Sequence, residues 1–530
     1  MRRTPGLRTR RLRPLGFAVA LGLAATALAA LLPAAPARAD AALLAEACGA
    51  CHAAGEGAGE AGGLSRISGQ RKTPEGWLMT IVRMRIAHGL EISAADQAAL
   101  VAWLADTQGL APSETEGWRY ALTKDPNHVE AAEEPLAGMC GRCHTLARVA
   151  LQRRTADEWL THMHFHVGQF PTVEYQALGR DRDWFEVATD EIAPLLAETW
   201  PLETEAWTAW QAAEKPDVTG EWVVLTDLPR SGPAFGTLTV SGEASPFTVS
   251  GSLTLADGTG AEVTGKMNLY TGYEWRANVT IDGNPFRQVL AVSEDGTRLS
   301  GRQFEAETDS LGGPLTGARA DGEPVILGTV PDAAPAGEAS VQVVGVELEG
   351  LLVDGADTGS LTPNAAGAAL TLTGEGDGTV TFRAGASGAS FAFYETIDRL
   401  TVEPSFTIAR VGGGSTVGPA PVPARFRAIG WWNGPDGEAG TGDDVRVGTL
   451  PATWTVKNRG EEAQKMEDAA FAGEMVDGGI FAPAGAGPNP ERPFSTNNAG
   501  DLTIVGEAAG LTGEAHLIVT VQRFIDPPIR

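Results

Sequence analysis

The sequence predicts a multidomain chain in which an α-helical N-terminal part is followed by three antiparallel β domains, barrel-like or immunoglobulin-like. Three observations lead there. Apolar residues recur at helical spacing only before about residue 215. Beyond it, many of the chain's 66 glycines and 33 prolines cut runs of alternating polarity into short strands. All four cysteines precede residue 145. At 530 residues a single core is excluded, and about three to five domains are expected.

Residues 1–39 read as an export signal. Arg2, Arg3, Arg8, Arg10, Arg11 and Arg13 form a basic start, an apolar stretch follows from about Leu15 to Leu32, and Ala37-Arg38-Ala39 offers a small-residue cleavage site. The mature chain is therefore expected in the periplasm. Cleavage removes seven arginines and no acidic residue, carrying the net charge from −27 to −34. So acidic a surface repels nucleic acid and anionic lipid. No later apolar segment predicts a membrane span.

Residues 40–215 divide into two units, about 40–110 and 111–215, each carrying one motif: Cys48-Gly49-Ala50-Cys51-His52 and Cys140-Gly141-Arg142-Cys143-His144. C-x-x-C-H is the attachment signature of covalent haem c. Two thiols about one helical turn apart can add to the two vinyl groups of one porphyrin, and the adjacent histidine, His52 or His144, is carried beneath the iron. Competing chemistries fit less well. Two zinc sites would have three ligands each and no evident fourth. A thioredoxin-like pair would want one motif inside a βαβ unit, and a disulfide between cysteines three apart is strained. The expected cofactors are two covalently bound haem c groups, and the helical part is a di-haem cytochrome c domain.

The second iron ligands follow from helix periodicity. Thr73 reads as an N-cap and Pro74 as a first-turn residue. Trp77, Ile81, Met84 and His88 then share one helix face. Thr155 to Glu158 forms a capping box, after which Trp159, Met163 and His166 repeat the same spacing. Superposing the two tryptophans sets Met84 against His166, the mark of an internal duplication with one ligand exchanged. Met84 is expected to complete the first haem, with His88 and Met79 as competitors. His166 is expected to complete the second, with His164 next, in the donor-rich run His162-Met163-His164-Phe165-His166. Methionine ligation raises a haem's potential relative to bis-histidine ligation. Electrons are thus expected to enter at the Cys140/Cys143 haem and leave from the Cys48/Cys51 haem.

The β part is expected as 216–330, 331–420 and 421–530. Phe247 to Leu255 and Trp275 to Ile281 alternate with period two, and Asp257-Gly258 and Asp282-Gly283 mark turns. Pro331 to Pro335 and Gly413 to Pro423 read as linkers on either side of an immunoglobulin-like sandwich. No catalytic constellation stands out in this half. The acidic loop 436–444 lacks the ligand spacing of a calcium loop.

The order of parts, together with the stretches Trp77 to Met84, His166 to Gln176, and Gly487 to Arg492 followed by Asn497-Asn498, resembles the alpha subunit of quinohemoprotein amine dehydrogenase. The resemblance implies a periplasmic heterotrimer that oxidatively deaminates primary amines. It places cysteine tryptophylquinone on a small gamma subunit beside a propeller-shaped beta subunit. The alpha subunit takes electrons from the reduced quinone and hands them to a soluble cytochrome c or a blue-copper protein. Carried onto this chain, the haem ligands fall on Cys48, Cys51 and His52 and on Cys140, Cys143 and His144. An amine-oxidising site is not expected here, because that chemistry belongs to the cofactor on the partner subunit. Two alternatives remain: a stand-alone di-haem electron carrier with β-rich binding domains, and a di-haem peroxidase.

Overall fold

The computed structural model describes residues 41–53, 63–131, 133–174, 182–413 and 419–521; the expected export signal lies outside them. A helical domain comes first. In its first unit the helices Ala41–Cys48, Pro74–His88 and Ala94–Thr107 enclose Leu44, Trp77, Ile81, Leu100 and Leu104. In the second, Ala156–Gln169 packs against a run made of Trp184–Val187, the π-helical Ala188–Ile192 and Ala193–Thr199. Met139, Trp159, Met163, Ile192 and Leu196 form the core between them.

The duplication is visible in the backbone. Thr73 and Thr155 each cap a helix, accepting from the N–H of Gly76 (3.3 Å) and Glu158 (3.2 Å). Trp77 and Trp159 are both fully buried, and their indole N–H groups donate to Gln108 O (3.0 Å) and Trp200 O (3.1 Å). Immediately before each cap lies a three-residue strand, Gln70–Lys72 or Gln152–Arg154. The two strands pair antiparallel, with Arg71 opposite Arg153. The units are therefore joined through equivalent segments of the repeat.

Next comes a closed barrel of eight antiparallel strands running from Gly220–Leu228 to Gly312–Arg319, these two strands closing the ring. Alternation supplies the interior: Trp275, Ala277 and Val279 fill the core beside Trp222, Val249 and Leu290. The turns at Asp257-Gly258 and Asp282-Gly283 form where expected, with positive φ at Gly258, Asp282 and Gly283. The barrel butts against the helical domain. Arg276 pairs with Glu75 at 2.5 Å, Tyr273 Oη meets Thr115 Oγ1 at 3.0 Å, and Trp210 Nε1 donates to Thr271 O at 2.9 Å.

Two further β domains follow, with boundaries other than those expected. Val325–Val330 already pairs with Gly337–Val346, and Ala333–Pro335 is an edge strand beside Ser387–Tyr394. The proline-rich 331–335 therefore crosses between the two sheets of the third domain and is not a linker; proline is tolerated at such edges because it lacks an N–H to offer a ladder. These two sheets enclose Val343, Leu372, Phe382, Phe391 and Phe393. At the far end, Arg399–Glu403 pairs with Arg427–Trp432 and Phe406–Arg410 with Leu511–Thr520. The last domain thus begins near 399, ahead of the expected 421. Within it, Val422 bridges back to Arg410, so the described ends of the segment expected as a second linker belong to the last domain; residues 414–418 lie outside the described residues. The first junction, Ala320 to Pro324, holds an Asp-Gly turn and a proline; the second, Glu395 to Asp398, holds neither glycine nor proline.

Candidate haem site

Each cysteine motif is wound into a turn. The helix Ala41–Cys48 runs straight into the first, where the N–H groups of Cys51 and His52 both reach Cys48 O, at 3.1 and 2.9 Å. In the second, Cys143 and His144 donate to Cys140 O at 3.2 and 3.3 Å, after a π-turn over Ala137–Gly141. The first cysteine of each pair is half-buried against its unit's core and the second is exposed; all four thiols are free. Burial, reinforced by the neighbouring thiol, raises Cys48 and pushes Cys140 up to about 11. Protonated thiols at neutral pH are poor nucleophiles and poor zinc ligands.

The imidazoles are held in one tautomer. His52 Nδ1 lies 2.8 Å from Ser65 O, His144 Nδ1 3.0 Å from Thr145 O, and His166 Nδ1 2.8 Å from His162 O. A carbonyl only accepts, so Nδ1 carries the proton in each ring and Nε2 keeps its lone pair. That is the form an iron ligand requires, with its orientation fixed by the second nitrogen.

A cavity of about 740 Å³ lies over the second motif, lined by Cys140, Cys143 and His144 together with His162, Met163 and His166 of the helix Ala156–Gln169. Its walls are largely apolar, including Trp159, Trp184, Ile192 and Leu196, in keeping with an organic cofactor held by a few polar groups. Burial holds His166 below its ordinary value; the hydrogen bond to His162 O opposes this, and the like charge of His144 adds to it. His162 is held well below the ordinary value by burial and then by Arg154 and its other cationic neighbours. At neutral pH both are neutral and able to ligate. The imidazoles of His144 and His166, the two thiols and the apolar walls together fit a covalently attached haem.

Other expected ligands are placed differently. His164 is exposed with its ring 5.0 Å from that of Phe185, away from the cavity lining; helix geometry sends it off the face shared by His162 and His166. His162, four residues from His166 on the same face, takes the place beside it. Met79, expected as a competitor for the first haem, lines the cavity of the second motif, where Arg148 Nη2 lies 3.2 Å from its Sδ. Met84 is half-buried on the helix that carries Trp77, and His88 is that helix's exposed last residue. The acidic loop 436–444 satisfies itself: Asp443 accepts from Thr441 and Asp436, and Asp444 accepts from Gly440 and Arg399. Among the described residues no group of three acidic, histidine or cysteine side chains is arranged to hold a metal ion, and no helix is long and apolar enough to cross a membrane.

Three family models match the chain. Residues 38–207 match the haem-binding domain of the quinohemoprotein amine dehydrogenase alpha subunit, 215–320 match its domain II and 400–529 its domain IV. No curated protein matches the chain. Among solved structures, the redesigned β-barrel mFAP1 bound to DFHBI aligns at 18% identity over 19% of this chain and 91% of its own, with a TM-score of 0.17. The human desmocollin-1 ectodomain aligns at 10% identity over 56% and 74%, with a TM-score of 0.14. At such scores neither bears on function.

Proposed function

The chain belongs to the quinohemoprotein amine dehydrogenase alpha-subunit family, and from that premise we propose that it is the electron-relay subunit of a periplasmic amine dehydrogenase. In this reading, haem c is attached at Cys48 and Cys51 above His52, and again at Cys140 and Cys143 above His144. Met84 and His166 complete the two irons. Primary amines are oxidised at cysteine tryptophylquinone on a small gamma subunit, next to a propeller-shaped beta subunit. Electrons pass through this chain to a soluble cytochrome c or blue-copper protein. The third domain is read as immunoglobulin-like, and the three β domains as the scaffold on which the partner subunits sit.

One observation carries the proposal: His144 and His166 share one cavity with Cys140 and Cys143, each with Nδ1 tied to a carbonyl. When bound, haem supplies one-electron storage on iron. The chain's own part is to fix the imidazole tautomers, exclude water with Trp159, Trp184 and Leu196, and hold the two units in register through the strand pair 70–72 and 152–154. Purifying the native protein tests this. It should co-elute with two smaller chains, and its haem bands should sharpen to the reduced form when a primary amine is added. A lone chain whose haems stay oxidised in amine supports the stand-alone carrier instead.

A further inference from the structure

The cavity over the second motif has an electrostatic peculiarity that iron ligation does not use. Seven cationic side chains line it, among them Lys72, Arg83 and Arg154, and its one lining carboxylate, Glu75, is taken by Arg276 at 2.5 Å. Lys72 is 6% exposed; its Nζ donates to Thr80 Oγ1 at 2.9 Å and lies 5.0 Å over the Trp77 ring. Among the described residues no carboxylate comes within ion-pair distance of Lys72 or Arg83. Arg154, 4% exposed, reaches Glu158 at 3.7 Å, and Arg66 claims that same carboxylate at 2.7 Å. Glu158 is thus divided between Arg154 and Arg66. Burial lowers Lys72 and Arg154, and their cationic neighbours lower them further. A buried ammonium facing other cations across an open cavity is expensive unless an anion occupies that cavity.

We propose that Lys72, Arg83 and Arg154 form the seat of the two propionate carboxylates of the haem attached at Cys140 and Cys143. Lys72 and Arg83 belong to the first unit, so the acidic edge of the second unit's cofactor is gripped from across the repeat. Arg154 comes from the paired strand, in register with Gln70. Two carboxylates supply the counter-charge that Lys72 and Arg83 lack, and the planar guanidinium groups can take them as paired acceptors. Cations fixed beside the propionates disfavour the oxidised, more positive iron. The seat therefore raises the potential of this haem, and it keeps the pair of potentials closer together than the ligand exchange alone would set them.

The inference rests on haem being attached at the second motif, and the test separates the two. In the purified native complex, Lys72→Met should move the one-electron equilibrium of the Cys140/Cys143 haem roughly tenfold toward the oxidised form, about 59 mV downward in a spectroelectrochemical titration. The Cys48/Cys51 haem should hold its potential, and Lys72→Arg should restore the wild-type value. Arg83→Gln, at a half-buried site, should give a downward shift as well and serves if Lys72→Met does not accumulate. Two attached haems with unchanged potentials, or an equal shift in both, overturn the propionate seat. Mass analysis finding no haem on the second motif overturns the attachment itself.

Discussion

Glu114 is where a single substitution should hurt the helical domain most. Its carboxylate is 8% exposed and accepts from Arg71 Nη1 and Nη2 (2.9 and 3.0 Å), Arg153 Nε (3.1 Å), Thr204 Oγ1 (2.9 Å) and the Ala111 N–H (2.8 Å). Arg71 and Arg153 are the central partners of the strand pair that joins the two units, and both are buried. Glu114→Ala removes the only carboxylate seen to pair with either arginine among the described residues. Stranding one buried charge by deleting its partner costs about 3–5 kcal/mol. The remaining carbonyl acceptors, Gly109 and Leu202 for Arg71 and Ala150 for Arg153, keep the loss within that range. Urea unfolding followed at the haem absorption should show the helical domain's midpoint falling by about 2 M, for a slope of about 2 kcal/mol/M. Glu114→Gln keeps the shape and one acceptor oxygen and should lose less. The acid limb gives a second signature. Burial pushes the Glu114 carboxyl up, but the hydrogen bonds and charges of Arg71 and Arg153 outweigh it and leave the carboxyl below its ordinary value. Its stabilisation is therefore complete above the ordinary glutamate range and lost as pH falls through the lowered value, a loss Glu114→Gln should not show. A drop below about 1 kcal/mol in Glu114→Ala would refute the view that this ion cluster locks the two units together.

Two other perturbations follow from the same geometry. His166→Met should keep haem on Cys140 and Cys143 while raising that haem's potential, read in a redox titration; an unchanged potential would move the iron bond to His162. Glu274 lies 2% exposed behind Arg276, and burial, with Glu75 nearby, pushes its carboxyl up to about 7 despite that arginine. A raised carboxyl contributes stability that is full below the ordinary glutamate value and is lost as pH climbs through about 7. Glu274→Gln should therefore gain on the wild type by up to about 3 kcal/mol between pH 4.5 and 8, measured by urea unfolding at both ends. Equal pH profiles would show that Glu274 stays ionised beside Arg276.

What the sequence made legible, and what it hid, divides along physical lines. Covalent chemistry demands fixed spacing, so Cys48 to His52 and Cys140 to His144 could be read directly. Capping and helix period are local, so Thr73 with Trp77 and Thr155 with Trp159 revealed the duplication, and two-residue turns such as Asp282-Gly283 announced their hairpin. Pairing between distant segments leaves no local trace. The contact of 70–72 with 152–154 went unread, although Gln70-Arg71-Lys72-Thr73 and Gln152-Arg153-Arg154-Thr155 are near copies and could have pointed to it. Domain junctions were misplaced because Gly and Pro mark edges and crossings inside β domains as readily as linkers. Helical spacing sets His162 and His166, at i+3 and i+7 from Trp159, on one face and His164, at i+5, off it, which is where the structure places them. The stretch Gly487 to Arg492, used for the resemblance, proves structural: buried Arg492 ion-pairs with Asp468 and donates to Met466 O at 3.1 Å.

The most direct test of the central claim, that this chain is a di-haem relay which leaves amine chemistry to its partners, is a haem count on the chain itself. The chain should be separated from its partners under denaturing conditions and its intact mass and reduced visible spectrum recorded. Two haems per chain that survive denaturation, one on the peptide containing Cys48 and Cys51 and one on that containing Cys140 and Cys143, are the predicted result. A colourless chain, or one haem that denaturation removes, would contradict it.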